Sequence, residues 1–101
     1  MAFDYTFSNT SAITVVAANG SSSVTLLAAN ANRKAFSFYN DSTAVVYVYA
    51  GTSTPASSTN FWLKMDANGG FYESTLPVYK GAFNAIWNSA SVSSMMVTDF
   101  R

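Results

Sequence analysis

The sequence predicts an all-β protein: a single-domain antiparallel β-sandwich or small β-barrel of about eight or nine short strands. Short β-prone runs recur along the chain, turn residues separate them at intervals of roughly 8–12 residues, and no stretch has sustained helical periodicity. The chain has 101 residues, a length that suits one domain. We therefore expect residues 1–101 to form a single β domain, with residues 1–10 as an N-terminal arm.

The expected strands of the first half are separated by polar turns. They cover residues 3–7, 12–18, 23–28, 34–39 and 44–50. Asn19-Gly20 is a dipeptide typical of tight hairpin turns. Residues 28–32 (AANAN) predict a loop, because asparagine side chains compete for local backbone hydrogen bonds.

The clearest expected pairing is an antiparallel hairpin over residues 34–50. Both arms are rich in aromatic or β-branched residues, and the connection at 40–43 consists of turn-forming residues. In the second arm, Val46 and Val48 point to one face, and two tyrosines point to the other. Because both faces are apolar, we expect this strand to lie in the centre of its sheet.

The second half continues the pattern. We expect a loop at 51–59, a strand at 60–65, a turn at 66–70, a short strand at 71–75, an extended edge or corner at 76–81, and a last hairpin of 82–88 with 94–100. Pro55 supports the loop, and Pro77 supports the edge or corner, because proline cannot donate to a central ladder.

The composition excludes several classes of function. The chain has no cysteine and no histidine, which excludes disulfides, a zinc site of the usual kind and a histidine-based triad. Five basic and five acidic residues give no electrostatic footprint for nucleic acid. The apolar runs are too short to span a bilayer. We expect no cofactor, metal, nucleic-acid or membrane partner. Residues 1–5 lack signal-peptide features, so a protein made and kept in a cytoplasm is expected.

No pattern of acidic residues indicates catalysis. The carboxylates are Asp4, Asp41, Asp66, Glu73 and Asp99. No two of them stand out as the defined pair that glycosidase chemistry needs. Asp66 and Asn68 resemble the start of a calcium loop, but its later ligands are missing at the required spacing. We therefore assign structural roles to the carboxylates, predict no catalytic residues, and do not expect an enzyme.

Two aromatic residues and one basic pair are open to two interpretations. Trp62 and Trp87 either fill the core, which is the commoner role in a thin β domain, or stack on a sugar or partner. Arg33 and Lys34 either protect a strand edge, again the commoner role, or bind a phosphate or partner carboxylate.

The N-terminal arm is the main candidate for a partner contact. Phe3, Tyr5 and Phe7 share one face of a terminal segment. Terminal segments are disordered unless something holds them, and three exposed aromatic rings are costly in water. They form either the first strand of this domain or a contact with another subunit. Together with Arg33 and Lys34, they make up the hypothetical partner interface.

Residues 26–42 carry a family resemblance. A leucine pair is followed by a short Asn-rich turn, Arg-Lys, and an apolar strand that ends in Tyr-Asn-Asp-Ser. Residues 70–73 (GFYE), 79–81 (YKG) and 85–87 (AIW) follow in the same order. This pattern, over about residues 24–98, resembles small β-structured virion proteins of tailed bacteriophages.

The resemblance implies a structural virion protein, with a capsid decoration (cement) protein that stabilises the head as the first expectation. Its implied partners are the major capsid protein, sister copies in a homo-oligomer such as a trimer, or both. The implied location is the capsid surface. The alternatives are a neck or tail accessory protein and a carbohydrate-binding module of a tail or fibre that uses surface aromatics.

Overall fold

The structure is a computed structural model that describes residues 11–17, 23–51, 57–88 and 94–101. These residues form eight strands: β1 (Ser11–Ala17), β2 (Val24–Leu27), β3 (Ala35–Asp41), β4 (Val46–Ala50), β5 (Leu63–Met65), β6 (Gly70–Glu73), β7 (Phe83–Trp87) and β8 (Ser94–Phe100). No described residue is helical, and accordingly no described helix could cross a membrane. The predicted all-β class is confirmed.

The strands form two packed antiparallel sheets of four strands each. The first sheet has the order β1-β8-β3-β6, and the second has the order β2-β7-β4-β5. Four of the pairings join β1 with β8, β2 with β7, β3 with β6 and β4 with β5, as in one long antiparallel ribbon. Pairing of β3 with β8 and of β4 with β7 rolls this ribbon into two sheets. The result is a sandwich with jelly-roll strand order.

The two predicted hairpins, of residues 34–50 and of 82–88 with 94–100, are both wrong. The strand pair of residues 34–50 is divided, because β3 belongs to the first sheet and β4 to the second. The expected hairpin of 82–88 with 94–100 is divided in the same way between β7 and β8. In this topology, the connection at 42–45 joins different sheets. The placement of β4 inside its sheet, between β7 and β5, confirms the prediction for that strand.

The core lies between the sheets and uses the inward position of alternate residues. Phe36 and Phe38 from β3 meet Val46 and Val48 from β4 across the sandwich, and all four are buried. The other buried apolar residues are Leu26, Leu27, Ala44, Met65, Phe83, Ala85, Trp87, Met95 and Val97. The alternation predicted that Val46 and Val48 share a face, and Trp87 has the core role that the sequence analysis gave as the commoner one.

A buried polar cluster holds the connection between β3 and β4. The Asn40 Nδ2 atom donates hydrogen bonds to the carbonyl oxygens of Ala44, at 3.0 Å, and Asp66, at 2.9 Å. The Ser42 hydroxyl lies 2.6 Å from Asn40 Oδ1 and accepts a 2.9 Å hydrogen bond from Trp87 Nε1. These contacts give the buried polar atoms the partners that burial demands. The turn-forming residues at 40–43 thus build a connection between sheets.

Candidate functional site

The outward face of the first sheet carries a row of large apolar side chains, one from each strand. Val15 on β1 lies opposite Met96 on β8. Met96 lies opposite Tyr39 on β3, and Tyr39 lies opposite Phe71 on β6. These four side chains, here called the apolar row, are 62%, 41%, 39% and 59% exposed, respectively. The row crosses the whole sheet, a distance of about 14 Å between the outer strands.

The apolar row stands out from its surroundings on the same face. The next row along the strands is Ile13, Thr98, Ser37 and Glu73, of which only Ile13 is a large apolar residue. Ile13 is exposed and extends the patch along β1. Outward positions of a two-layer sandwich are usually polar. Exposed apolar patches with polar rims mark surfaces that bind other molecules, so we take this face as the candidate docking site.

The charges on this face have one sign. Asp41 and Glu73 are the charged residues among the outward positions of the four strands, and both are exposed. A complementary partner therefore offers an apolar centre with neutral or basic groups around it. The arrangement disfavours a second copy that packs the same face against itself, because like charges would then approach one another.

Strand β1 adds an unprotected edge to the docking face. Within the described part of the chain, β1 is an outer strand of the first sheet. Its sequence, SAITVVA, contains no charge and no proline, and its pairing with β8 is continuous over seven residues. Proteins usually protect long edge strands with charges, prolines or bulges. An edge that lacks these devices is suited to association.

Arg33 is buried within the chain, so neither interpretation of the Arg33-Lys34 pair holds for Arg33, whereas the interpretations of Lys34 stay predictions. Its Nε atom lies 3.1 Å from Asp99 Oδ1. The two terminal nitrogens donate hydrogen bonds to the carbonyl oxygens of Ala28, Tyr79 and Gly81, at 2.7 to 3.0 Å. The side chain is completely buried, so it presents no surface to a partner and protects no exposed edge. It instead ties the 28–33 loop to the segment before β7 and to β8.

Asp99, the acidic partner of Arg33, has further contacts of its own. Asp99 Oδ2 accepts a 3.1 Å hydrogen bond from Asn30 Nδ2 and lies 3.8 Å from Arg101 Nε. Lys34 is partly exposed, and its backbone N–H donates to the Phe100 carbonyl at 2.7 Å. No sequence spacing indicated that Arg33 and Asp99, 66 positions apart, would form a pair.

The N-terminal arm stays a prediction, because Phe3, Tyr5 and Phe7 lie outside the described residues.

The predicted turn at 66–70 is confirmed. Asn68, with φ of 59°, and Gly69, with φ of 121°, donate their backbone N–H groups to the carbonyls of Ser42 and Asn40. Among the described residues, no cluster of three or more acidic residues could hold a metal ion.

Trp62 does not have the core role that the sequence analysis gave as the commoner of its two interpretations. Its side chain is 45% exposed and packs on Tyr72 and Phe83, with ring centroids 5.1 and 5.6 Å apart. The residue pattern did not distinguish Trp62 from Trp87. Trp62 precedes the three-residue strand β5, and its backbone N–H donates to the Val48 carbonyl at 2.7 Å.

Comparison with protein-family models, with curated proteins and with solved structures finds no match to this chain.

Proposed function

We propose that the protein is a structural virion protein of a tailed bacteriophage, and specifically a decoration (cement) protein that binds the outside of the head between capsid subunits. Its partners are the major capsid protein and sister copies of itself, and its place is the capsid surface. The single observation that supports this proposal best is the apolar row across the outward face of the first sheet. The phage assignment itself rests on the sequence resemblance of residues 24–98.

The energetics favour a protein that works in a bound state. Burial of each large apolar side chain stabilises a complex by about 1.5–3 kcal/mol before the costs of association. Four such side chains in line, with Ile13 beside them, supply the apolar centre that stable interfaces have. A decoration protein repeats this modest gain at many sites on one particle, which stabilises the shell by mass action. Jelly rolls occur in viral capsids and in lectins, and this analogy of fold is compatible with the proposal.

We expect Phe71→Ser to weaken binding to phage heads while leaving the fold intact. Phe71 is 59% exposed on the edge strand β6, so its removal takes little from the core. An aromatic anchor that becomes buried in an interface can contribute about 2 kcal/mol or more, so its loss corresponds to a roughly 30-fold fall in affinity. The measurement is co-sedimentation of purified protein with heads that lack it.

Phe61→Ser is the matched control, because Phe61 is 42% exposed but precedes β5 and packs on Tyr47 of the second sheet, with ring centroids 5.0 Å apart. The proposal requires Phe61→Ser to bind like the wild type. Equal binding by both variants and the wild type would refute a role for the apolar row.

A neck or tail accessory protein is the alternative that uses the same docking face. A decoration protein and a neck or tail protein differ in copy number per particle. A decoration protein occupies repeated sites over the shell, whereas a neck or tail component is present in few copies. A mass-spectrometric copy count on purified particles separates them.

A further inference from the structure

A second surface feature lies away from the docking face, in a cleft between the two sheets. Residues of the core form its floor, chiefly Phe36 and Phe83, which are buried. Trp62, from the segment before β5, and Tyr79, from the segment before β7, stand on this floor and are 45% and 41% exposed. The cleft has a volume of about 240 Å³. The rest of its lining is Ala50, Tyr72, Thr75 and Pro77.

The aromatic rings of the cleft hold one another in place. The rings of Trp62 and Tyr79 each pack on Phe83, at centroid distances of 5.6 and 5.0 Å. Tyr72 meets Trp62 edge to face, with an interplanar angle of 85°. Tyr79 is also fixed through its backbone, since its carbonyl accepts a hydrogen bond from the buried Arg33. These contacts arrange the exposed rings before any ligand arrives, which lowers the entropic cost of binding.

The lining determines which ligand fits. Among the residues that the structure describes, the lining contains no charged side chain, so it complements a neutral molecule. Its polar groups are the hydroxyls of Tyr72, Tyr79 and Thr75 and the Trp62 indole N–H, all of which can donate hydrogen bonds. The volume is below the roughly 300–1,000 Å³ of pockets for drug-sized ligands, and it suits one or two small rings.

A proline-rich segment meets these conditions better than a sugar does. A sugar ring presents many hydroxyls, and a hydroxyl that loses water without gaining a partner is costly. The described lining offers no carboxylate, carboxamide or guanidinium group to pair with them. A proline residue has no hydrogen-bond donor to satisfy, and the polyproline II helix exposes carbonyl acceptors next to flat apolar rings. Aromatic grooves with a few donors are a recurring site for such segments.

We infer that this aromatic cleft binds a proline-containing segment of a partner protein in the polyproline II conformation. Trp62 and Tyr79, whose rings cover the buried Phe83, flank a proline ring, and the indole and phenol groups donate to the peptide carbonyls. The inference does not depend on the proposed virion role, because the cleft and the apolar row are separate surfaces.

The test is a nuclear magnetic resonance titration of the ¹⁵N-labelled protein with a capped hexaproline peptide. The protein has two tryptophans, which give two indole N–H signals. We expect the Trp62 signal to shift with peptide. The Trp87 signal should stay in place, because that indole is buried and donates to Ser42. Trp62→Ala should weaken binding by roughly tenfold or more. Phe61→Ala, which changes an equally exposed neighbour outside the cleft, should leave binding unchanged.

Gly81→Ala probes the cleft without removing an aromatic ring. A methyl group at Gly81 would overlap the Tyr79 ring, which must then swing away from the cleft wall. We expect weaker peptide binding by this variant also. Three results would overturn the inference: no shift of the Trp62 signal at millimolar peptide, equal binding by Trp62→Ala and wild type, or a shift caused by maltohexaose or cellohexaose and not by the peptide. The last result would assign the cleft to carbohydrate.

Discussion

Arg33→Met should lower the free energy of unfolding by about 3–5 kcal/mol, the usual cost of breaking a buried ion pair by removing one partner. The substitution leaves Asp99 with a buried charge. It also removes the donors to the carbonyl oxygens of Ala28, Tyr79 and Gly81. Methionine restores much of the apolar volume, so the loss reports on charge and hydrogen bonding more than on a cavity.

Thermal and urea denaturation followed by circular dichroism would measure the Arg33 effect. In a domain of this size, the expected change corresponds to a fall in Tm of about 15 °C or more. Lys64→Met is the control, because Lys64 is exposed on β5, and its replacement should change stability by less than about 0.5 kcal/mol. Arg33→Lys should also destabilise, since an ammonium group cannot reproduce the geometry of the guanidinium group. A loss below about 1 kcal/mol in Arg33→Met would contradict the structural role given to Arg33.

Asn40→Leu should have the second largest effect, a loss of about 2–5 kcal/mol. Leucine cannot donate to the carbonyl oxygens of Ala44 and Asp66, and a buried polar group that loses its partner costs about 1–3 kcal/mol. The Ala44 carbonyl keeps the Ser42 hydroxyl as a donor at 2.9 Å, so the Asp66 carbonyl is the acceptor that loses most. The Ser42 hydroxyl also loses its contact with Asn40 Oδ1. The greater apolarity of leucine offsets part of this loss.

The same denaturation experiments measure the Asn40 effect, with Asn32→Leu as the control. Asn32 is exposed in the loop before β3, so its replacement should leave the free energy of unfolding nearly unchanged. If the two variants were equally stable, the buried polar cluster would not be what holds the connection between the sheets.

Local patterns in the sequence predicted the strands well, because side-chain alternation is a local property. The shared face of Val46 and Val48 followed from alternation, and the turn at 66–70 followed from its turn-forming residues. Strand pairing could not be predicted in the same way. Residues 40–43 have the composition of a hairpin turn, but Asn40 and Ser42 turn inward and bond to Asp66 and Trp87. Hydrogen bonds to residues distant in sequence thus explain why residues 40–43 cross from one sheet to the other.

The candidate docking site could not be predicted from the sequence either, because it also depends on how the strands pair. Val15, Tyr39, Phe71 and Met96 come from four separate strands, and only the register of three ladders brings them into one row. Each of them alone is an ordinary apolar residue in a strand. Trp62 shows the converse: its apolar character predicted burial, yet its position just before the short strand β5 leaves nearly half of its surface exposed.

Hydroxyl-radical footprinting of phage heads with the protein bound, compared with the free protein, tests the central claim most directly. Met96, Tyr39 and Phe71 are exposed in the free chain and have side chains that can be oxidised, so mass spectrometry can follow each one. The docking proposal predicts that all three become protected on the particle, while Phe61, which precedes β5 and packs on Tyr47 of the second sheet, remains reactive. Unchanged oxidation of Met96, Tyr39 and Phe71 on particles that carry the protein would contradict it.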